Sequence, residues 1–258
     1  MRIVQLSDLH LTADGAPLYG SVDTDGALAM ALARVRRLDP APDLLLLSGD
    51  LANGGELSAY RRLREALADV GVPWVVMAGN HDDGAALRAV FPDQPWARAD
   101  WCCQARELAP GLLLCLDTLV PGEEYGLVGE RHLAWLEEAA DSDRPAVLCL
   151  HHPPFPVGIP GMDAIGCRGT GALAAWLQRH PEVVAVLCGH VHRCIVTVFA
   201  GRPALVAPSP AHQIALQAGP LAYTLEPGGF LVHDWDAGAP LRSHYVPLAM
   251  APVVPYTD

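Results

Sequence analysis

Five places in the sequence put oxygen or imidazole donors directly after a short apolar run. Ile3–Leu6 leads through Ser7 to Asp8-Leu9-His10, and Leu44–Leu47 leads to Ser48-Gly49-Asp50. Trp74–Met77 leads to Ala78-Gly79-Asn80-His81-Asp82, Val147–Leu150 to His151-His152-Pro153-Pro154, and Val183–Cys188 to Gly189-His190-Val191-His192. Asp8, His10, Asp50, Asn80, His151, His190 and His192 together offer carboxylate, amide and imidazole, with no thiolate. That set suits Mn, Fe, Co, Ni or Zn, and its imidazoles argue against a site for Mg or Ca alone. Seven donors exceed what one tetrahedral ion takes and suit two ions sharing a carboxylate. Asp8/His10 and His190/His192 are two residues apart, so an extended backbone would point each pair to one side. Gly49, Gly79 and Gly189 each precede a candidate ligand. They are expected to let the chain turn sharply off its strand and a metal or phosphate approach the backbone.

These donors need elements that bring distant segments together. Apolar runs and helical stretches alternate through the first two-thirds of the chain, with helices expected over Asp23–Leu38, Glu56–Val70, Asp83–Val90, Glu130–Ala140 and Thr170–His180. The alternation reads as β-α-β units with buried parallel strands. In an open α/β sheet the carboxyl ends of parallel strands share one edge, so the five run ends would form one polar cluster. From about Cys194, short strand-like pieces punctuated by Gly and Pro follow one another without a helix. They suggest a second, mixed or antiparallel sheet completing the same domain. No linker is apparent, so residues 1–258 read as a single domain, and His152–Gly171 reads as a loop near the site.

Composition narrows the function. The chain has 258 residues, and hydrophobic residues make up 51% of it, enough for a sizeable core. Its 17 basic residues are all arginine. Without lysine there is no P-loop lysine, lysine Schiff base or kinase-type lysine. A formal charge of −12 argues against broad nucleic-acid binding. No apolar stretch reaches the roughly 18 residues a membrane span needs, and Met1–Ser7 reads as a strand, not a signal peptide. Seven cysteines form no C-x-x-C pair. They read as buried free thiols, and a cytoplasmic location follows as the expectation.

The ordered set D-x-H, G-D, G-N-H-D, H-H-P-P and G-H-x-H resembles the signature of calcineurin-like metallophosphoesterases, over Asp8 to His192, about three-quarters of the chain. Gly79-Asn80-His81-Asp82-Asp83 and the H-H-P-P segment look most like the bacterial branch of class III cyclic-nucleotide phosphodiesterases and glycerophosphodiesterases. The resemblance implies a four-layer α/β/β/α sandwich with two central mixed β-sheets. It implies that Asp8, His10 and His192 hold one divalent ion, that Asn80, His151 and His190 hold another, and that Asp50 bridges them. The metals expected are Mn, Fe, Zn or Co. A bridging hydroxide would then attack a small phosphodiester, 3′,5′-cyclic nucleotides such as cAMP first and glycerophosphodiesters next. A phosphomonoesterase, a nuclease or a silent metal-binding scaffold are the alternatives. His81 would face the phosphate or protonate the leaving oxygen, with a structural hydrogen bond to a ligand carboxylate as its rival role. The family's bacterial members often carry a small cap, which places cap or pocket elements within Cys194–Tyr223 and makes a homodimer or higher homo-oligomer an expectation.

The neighbours of these residues have plainer expected roles. His152 should point away from the ligand beside it and support it, and Asp82 should orient a histidine or cap the next helix. Asn53 could touch substrate or simply turn the chain, and His212 is a pocket candidate. His132, His180, His233 and His244 read as surface or packing residues. Trp135 and Trp176 read as core.

Overall fold

The run Leu44-Leu45-Leu46-Leu47 has no polar member because both faces of its strand are covered. Leu45 and Leu47 pack among helical residues such as Leu28, Leu32, Tyr60 and Leu63. Leu44 and Leu46 face Leu113, Val147, Cys149 and Leu187 of a second sheet. Each such side chain contributes about 1.5–3 kcal/mol on burial, which is why period-two alternation of polarity is absent from this strand.

The computed structural model describes residues 1–141 and 143–256, so of the expected single domain Ser142, Thr257 and Asp258 lie outside the described residues. From the N-terminus the chain forms β1 (Arg2–Leu6), α1 (Thr24–Val35), β2 (Leu44–Ser48), α2 (Leu57–Ala68), β3 (Trp74–Met77) and α3 (Gly84–Val90). There follow β4 (Gln104–Glu107), β5 (Leu112–Leu116), β6 (Gly126–Leu127), α4 (Glu130–Ala139), β7 (Ala146–Leu150), α5 (Pro160–Ala164), β8 (Cys167–Arg168), α6 (Thr170–Arg179) and β9 (Val183–Cys188). The remainder holds β10 (Ile195–Phe199), β11 (Arg202–Val206), β12 (Gln213–Ile214), β13 (Tyr223–Thr224), β14 (Gly229–Asp234) and β15 (Arg242–Pro247). Side-chain caps set two helix starts: Asp23 accepts from the Gly26 N–H and Asp83 from the Ala86 N–H, each at 2.8 Å.

Two mixed sheets stack face to face, in the orders β15-β14-β1-β2-β3 and β10-β11-β9-β7-β5-β4. In the first, β1, β2 and β3 are mutually parallel, and β14 runs antiparallel to β1. In the second, β5, β7, β9 and β11 are parallel. Helices α1, α2 and α3 cover the first sheet's outer face. Trp135, Leu136, Leu173 and Trp176 of α4 and α6 cover the second. The four-layer α/β/β/α expectation therefore holds. One expectation holds only in small part: of the strands after Cys194, only β12 and β13 pair apart from the two large sheets, as a two-stranded antiparallel ribbon. β10 and β11 extend the second sheet and β14 and β15 the first, because each sheet had an open edge to pair. The segment expected as a loop, His152–Gly171, contains α5 and β8.

Candidate metal centre

Five strand ends meet where the two sheets abut. β1, β2 and β3 lie side by side and deliver Asp8, His10, Asp50, Asn80 and His81; β7 and β9 deliver His151, His190 and His192. The ladder between β1 and β2 continues past the strands, with N–H groups of Asp8 and His10 donating to the carbonyls of Gly49 and Asp50 at 3.0 and 2.9 Å. The two sheets are tied at the site itself: the His190 N–H donates to Asp8 Oδ1 at 2.9 Å. All seven sequence-identified donors are brought together, and all but the half-buried Asn80 are buried.

The local geometry differs from the extended pairs expected. Asp8, His10, Asp50, His190 and His192 all have left-handed φ, between 49° and 71°. Leu9 and Val191, between the paired donors, are buried. The donors thus share a side because the chain has left its strand and taken positive φ at alternate residues, not because of strand alternation. Five non-glycine residues in that region are strained by roughly 1–3 kcal/mol each, and such strain gathers at functional sites. The glycines before the donors act differently from expectation too. Only Gly49 has positive φ (101°). A Cβ on Gly79 would overlap Asp50 Oδ1 and stand 2.7 Å from His151 Nε2, and one on Gly189 would overlap Ser7 Oγ. They clear space for the donor side chains themselves.

Hydrogen bonds outside the cluster decide which imidazole nitrogens face into it. His151 Nδ1 donates to the Ser48 carbonyl at 2.8 Å, leaving the Nε2 lone pair 3.3 Å from Asp50 Oδ2. His190 Nε2 donates to the Ile165 carbonyl at 3.2 Å, leaving Nδ1 3.0 Å from Asn80 Oδ1. His10 Nδ1 donates to Asn53 Oδ1 at 3.3 Å, leaving Nε2 3.1 Å from His192 Nε2 and 3.5 Å from Asp50 Oδ2. His151 Nε2 thus faces the Asp50 carboxylate acceptor to acceptor in a buried space, which is stable only with a proton or cation between them. Asp8 Oδ2 and His151 Nε2 are buried with no hydrogen-bond partner among the described residues.

The electrostatics point the same way. Burial holds His10 and His190 neutral, each pulled down to about 3. Burial pushes Asp8 up to about 7 despite its neighbour His151. Burial also opposes ionisation of Asp50, but His151, His10 and His81 overcome it and hold that carboxyl well below the usual range. His151 is pulled down by burial yet raised to about 9 by Asp50 and Asp8, so a proton stabilises the place a cation would take. Ligand atoms of Asp8, His10, Asp50 and His192 lie within 4.8 Å of one another, the compactness one ion requires. A second compact group is formed by His151, His152 and His190, so the residues fit divalent cations at two places.

Three neighbours depart from their expected roles. His152 does not point away: its ring is 4.6 Å from that of His190, and its nitrogens group with those of His151 and His190. β7 ends at Leu150, so strand alternation no longer applies to it. Thr118 Oγ1 lies 2.8 Å from its Nδ1. Asp82 neither caps α3, which Asp83 does, nor bonds a histidine. Its carboxylate accepts from the N–H groups of Leu51, Ala52 and Gly79 and from the Tyr60 hydroxyl, pinning the exits of β2 and β3 together. Asn53 buttresses His10 with its side chain and His81 with its carbonyl, which takes the Nδ1–H at 2.9 Å. Its place three residues after Asp50 was the only signal in the sequence. The His81 side chain bonds no ligand carboxylate; its backbone N–H donates to Asp50 Oδ1.

A cavity of about 260 Å³ opens over the cluster, lined by His10, Asp50, Asn80, His81, His190 and His192. His212 borders it as expected, packed 4.5 Å from the His192 ring. Of the histidines expected at the surface or in packing, His132 and His233 are buried and His180 stacks on Trp176.

Comparison with known proteins agrees with this geometry. Residues 1–194 match the family model described as calcineurin-like phosphoesterase. The chain is 33% identical over 251 residues to a probable glycerophosphodiester phosphodiesterase of Arcobacter nitrofigilis, covering 95% of this chain and 92% of that one. It is 33% identical to a cAMP/cGMP dual specificity phosphodiesterase of Mycobacterium tuberculosis, covering 98% and 79%. A dimetal phosphatase from Danio rerio superposes with a TM-score of 0.68 at 13% identity over 96% of each chain, a likeness of fold.

Proposed function

Because the chain belongs to the calcineurin-like phosphoesterase family, we propose that it hydrolyses small phosphodiesters, with Asp8, His10, Asp50, Asn80, His151, His190 and His192 holding two divalent cations. The observation that carries this is the convergence of buried imidazole nitrogens on buried carboxylates, His151 and His10 on Asp50 and His192 on Asp8, in groups compact enough to hold an ion. Bound there, such cations would lower the pKa of a shared water and hold the phosphoryl oxygens for in-line attack.

The rest of the chemistry falls to the chain. His81 lines the cavity with its Nδ1–H committed to the Asn53 carbonyl, which leaves Nε2 as the atom that carries a proton to the leaving oxygen. Asp50 fixes the backbone of His81 through the 2.9 Å bond to its N–H. Asn53 sets the His10 tautomer so that Nε2 is a donor atom toward a metal. The ribbon β12–β13, which begins within Cys194–Tyr223 and ends one residue beyond it at Thr224, serves as the cap element that walls the cavity. Mn, Fe, Zn and Co all suit the donor set. The seven cysteines are free thiols, five of them buried, which suits a reducing cytoplasm. Among the described residues no helix is long and apolar enough to cross a membrane.

The leading substrates are 3′,5′-cyclic nucleotides, with glycerophosphodiesters next, as the relatives' names suggest. The test is metal-stripped protein reloaded with Mn²⁺, Fe²⁺, Co²⁺ or Zn²⁺ and offered both classes, phosphomonoesters and an oligonucleotide. Metal-dependent diester turnover that falls at least 100-fold in Asn80→Ala is the expected result. Faster turnover of monoesters or oligonucleotides would move the assignment within the family. Two bound ions with no turnover of any phosphoester would make the chain a scaffold.

A further inference from the structure

One feature of the cavity has no part in holding cations. Tyr19 and Tyr223 come from opposite ends of the chain and stack with ring centroids 5.1 Å apart and planes at 26°. Both line the cavity that holds the candidate ligands. Both remain open to solvent, Tyr19 at 60% and Tyr223 at 39% exposure, so the pair is not core packing. His212 joins it to the centre, its ring 5.5 Å from Tyr223 and 4.5 Å from His192.

The backbone holds each ring there deliberately. Tyr19 has φ of 54°, a conformation that is uncommon for a bulky residue and costs of order 1 kcal/mol or more. A tight turn keeps it so, with Gly20 N–H on the Pro17 carbonyl and mutual bonds between Leu18 and Val22. Tyr223 sits on the ribbon β12–β13, in register with Ile214, which lies two residues after His212. The segment joining its strands is braced on α5: Leu221 lies 3.1 Å from where a Cβ on Gly161 would stand. Leu221, Ile214, Met162 and Ile165 also line the cavity, with Glu124 its one carboxylate outside the candidate ligands and no arginine among the lining residues.

We propose that the Tyr19–Tyr223 pair is a stacking platform for a nucleobase, and that it selects base-bearing phosphodiesters over those of glycerol; this rests on the phosphodiesterase reading above. A planar base has a π-face that an exposed aromatic ring accepts without sequence or hydrogen-bond demands. A glycerol moiety has no π-face to stack on the pair, whatever hydrogen bonds Glu124 offers it. A quaternary ammonium group would want ring faces set at angles around it. Here the two tyrosines stack on each other at 26°, with no gap between their faces for such a group, although His212 stands edge-on to both.

The test uses the metal-loaded full chain, with Tyr19→Ala, Tyr223→Ala and both Phe variants. Turnover of adenosine 3′,5′-cyclic phosphate is compared with that of glycerophosphocholine, and calorimetry measures binding of adenosine 5′-monophosphate and of glycerol 3-phosphate. The Ala variants should lose about 5- to 150-fold in kcat/KM for the cyclic nucleotide relative to glycerophosphocholine, with a matching loss in affinity for the nucleoside monophosphate. The Phe variants should keep both. An unchanged ratio and unchanged monophosphate affinity in the Ala variants overturns the platform. So does a larger loss for glycerophosphocholine, which would make the pair a choline site, or an equal loss in the Phe variants, which would assign the effect to the hydroxyls. Failure of wild-type protein to hydrolyse either diester overturns the underlying reading instead, and the monophosphate affinities still decide the platform.

Discussion

A single methyl group at Gly79 should separate the donors without touching any of them chemically. The Cβ of Gly79→Ala would overlap Asp50 Oδ1, stand 2.5 Å from the Asp50 backbone nitrogen and 2.7 Å from His151 Nε2. None of these can yield easily. Asp50 Oδ1 takes the His81 N–H, and His151 is held at Nδ1 by the Ser48 carbonyl. Overpacking of this kind costs about 1–3 kcal/mol. If the strain is relieved by moving Asp50 or His151 out of place, it appears as lost metal affinity, about tenfold for each 1.4 kcal/mol. Gly171→Ala is the matched control, since its Cβ meets nothing within 4 Å. The assay is calorimetric titration of metal-stripped protein with Mn²⁺, alongside thermal melts in a chelator. Gly79→Ala should bind at least tenfold more weakly and melt no higher than wild type, and Gly171→Ala should bind as wild type. Wild-type affinity in Gly79→Ala would refute the crowding of donors around that glycine.

Three further outcomes are expected. Asp82→Ala strands the N–H groups of Leu51, Ala52 and Gly79 in a buried space, so chemical denaturation should show a loss of about 3 kcal/mol or more, with weakened metal binding; Asp82→Asn should lose less. Burial, only partly offset by Asp234, pulls His233 down to about 3, so the folded state holds fewer protons than the unfolded one below the ordinary value near 6.5. Its contribution is complete above that pH and is lost as pH falls toward 3. In chelator, urea unfolding of His233→Gln between pH 6 and 4 should show a slope shallower by up to about 1.4 kcal/mol per pH unit, and an unchanged slope would contradict the assignment. Leu46→Ala, between the sheets, should destabilise by about 2–5 kcal/mol without altering the substrate ratio.

That Asp8, His10, Asp50, Asn80, His151, His190 and His192 would come together was legible in the sequence because the parallel strands fix where each run ends. An apolar run ending in Asp, Asn or His says where a buried strand stops and what it presents. The way each donor is aimed was not legible. Positive φ at Asp8, His10, Asp50, His190 and His192 follows from contacts between loops, such as the Asp8 N–H on the Gly49 carbonyl, which no local pattern records. For the same reason Asp82 looked like a cap and Asn53 like a turn, although each bonds across segments. Strand β4, Gln-Ala-Arg-Glu, was hidden because an edge strand half open to solvent has little apolar signal. The strands after Cys194 were visible as strands, but which sheet each would join depended on free edges created by the rest of the chain. His152 shows the limit of alternation rules: they hold within β7 and lapse one residue beyond it.

The central claim is that seven side chains from five strand ends hold two divalent cations. Diffraction from crystals grown with Mn²⁺, recorded for anomalous signal, tests it most directly. The account predicts two peaks per chain, roughly 3.5–4 Å apart, one against Asp8, His10 and His192, the other against Asn80, His151 and His190, with Asp50 touching both. A single peak, or peaks held by other residues while these seven stay empty, would contradict it.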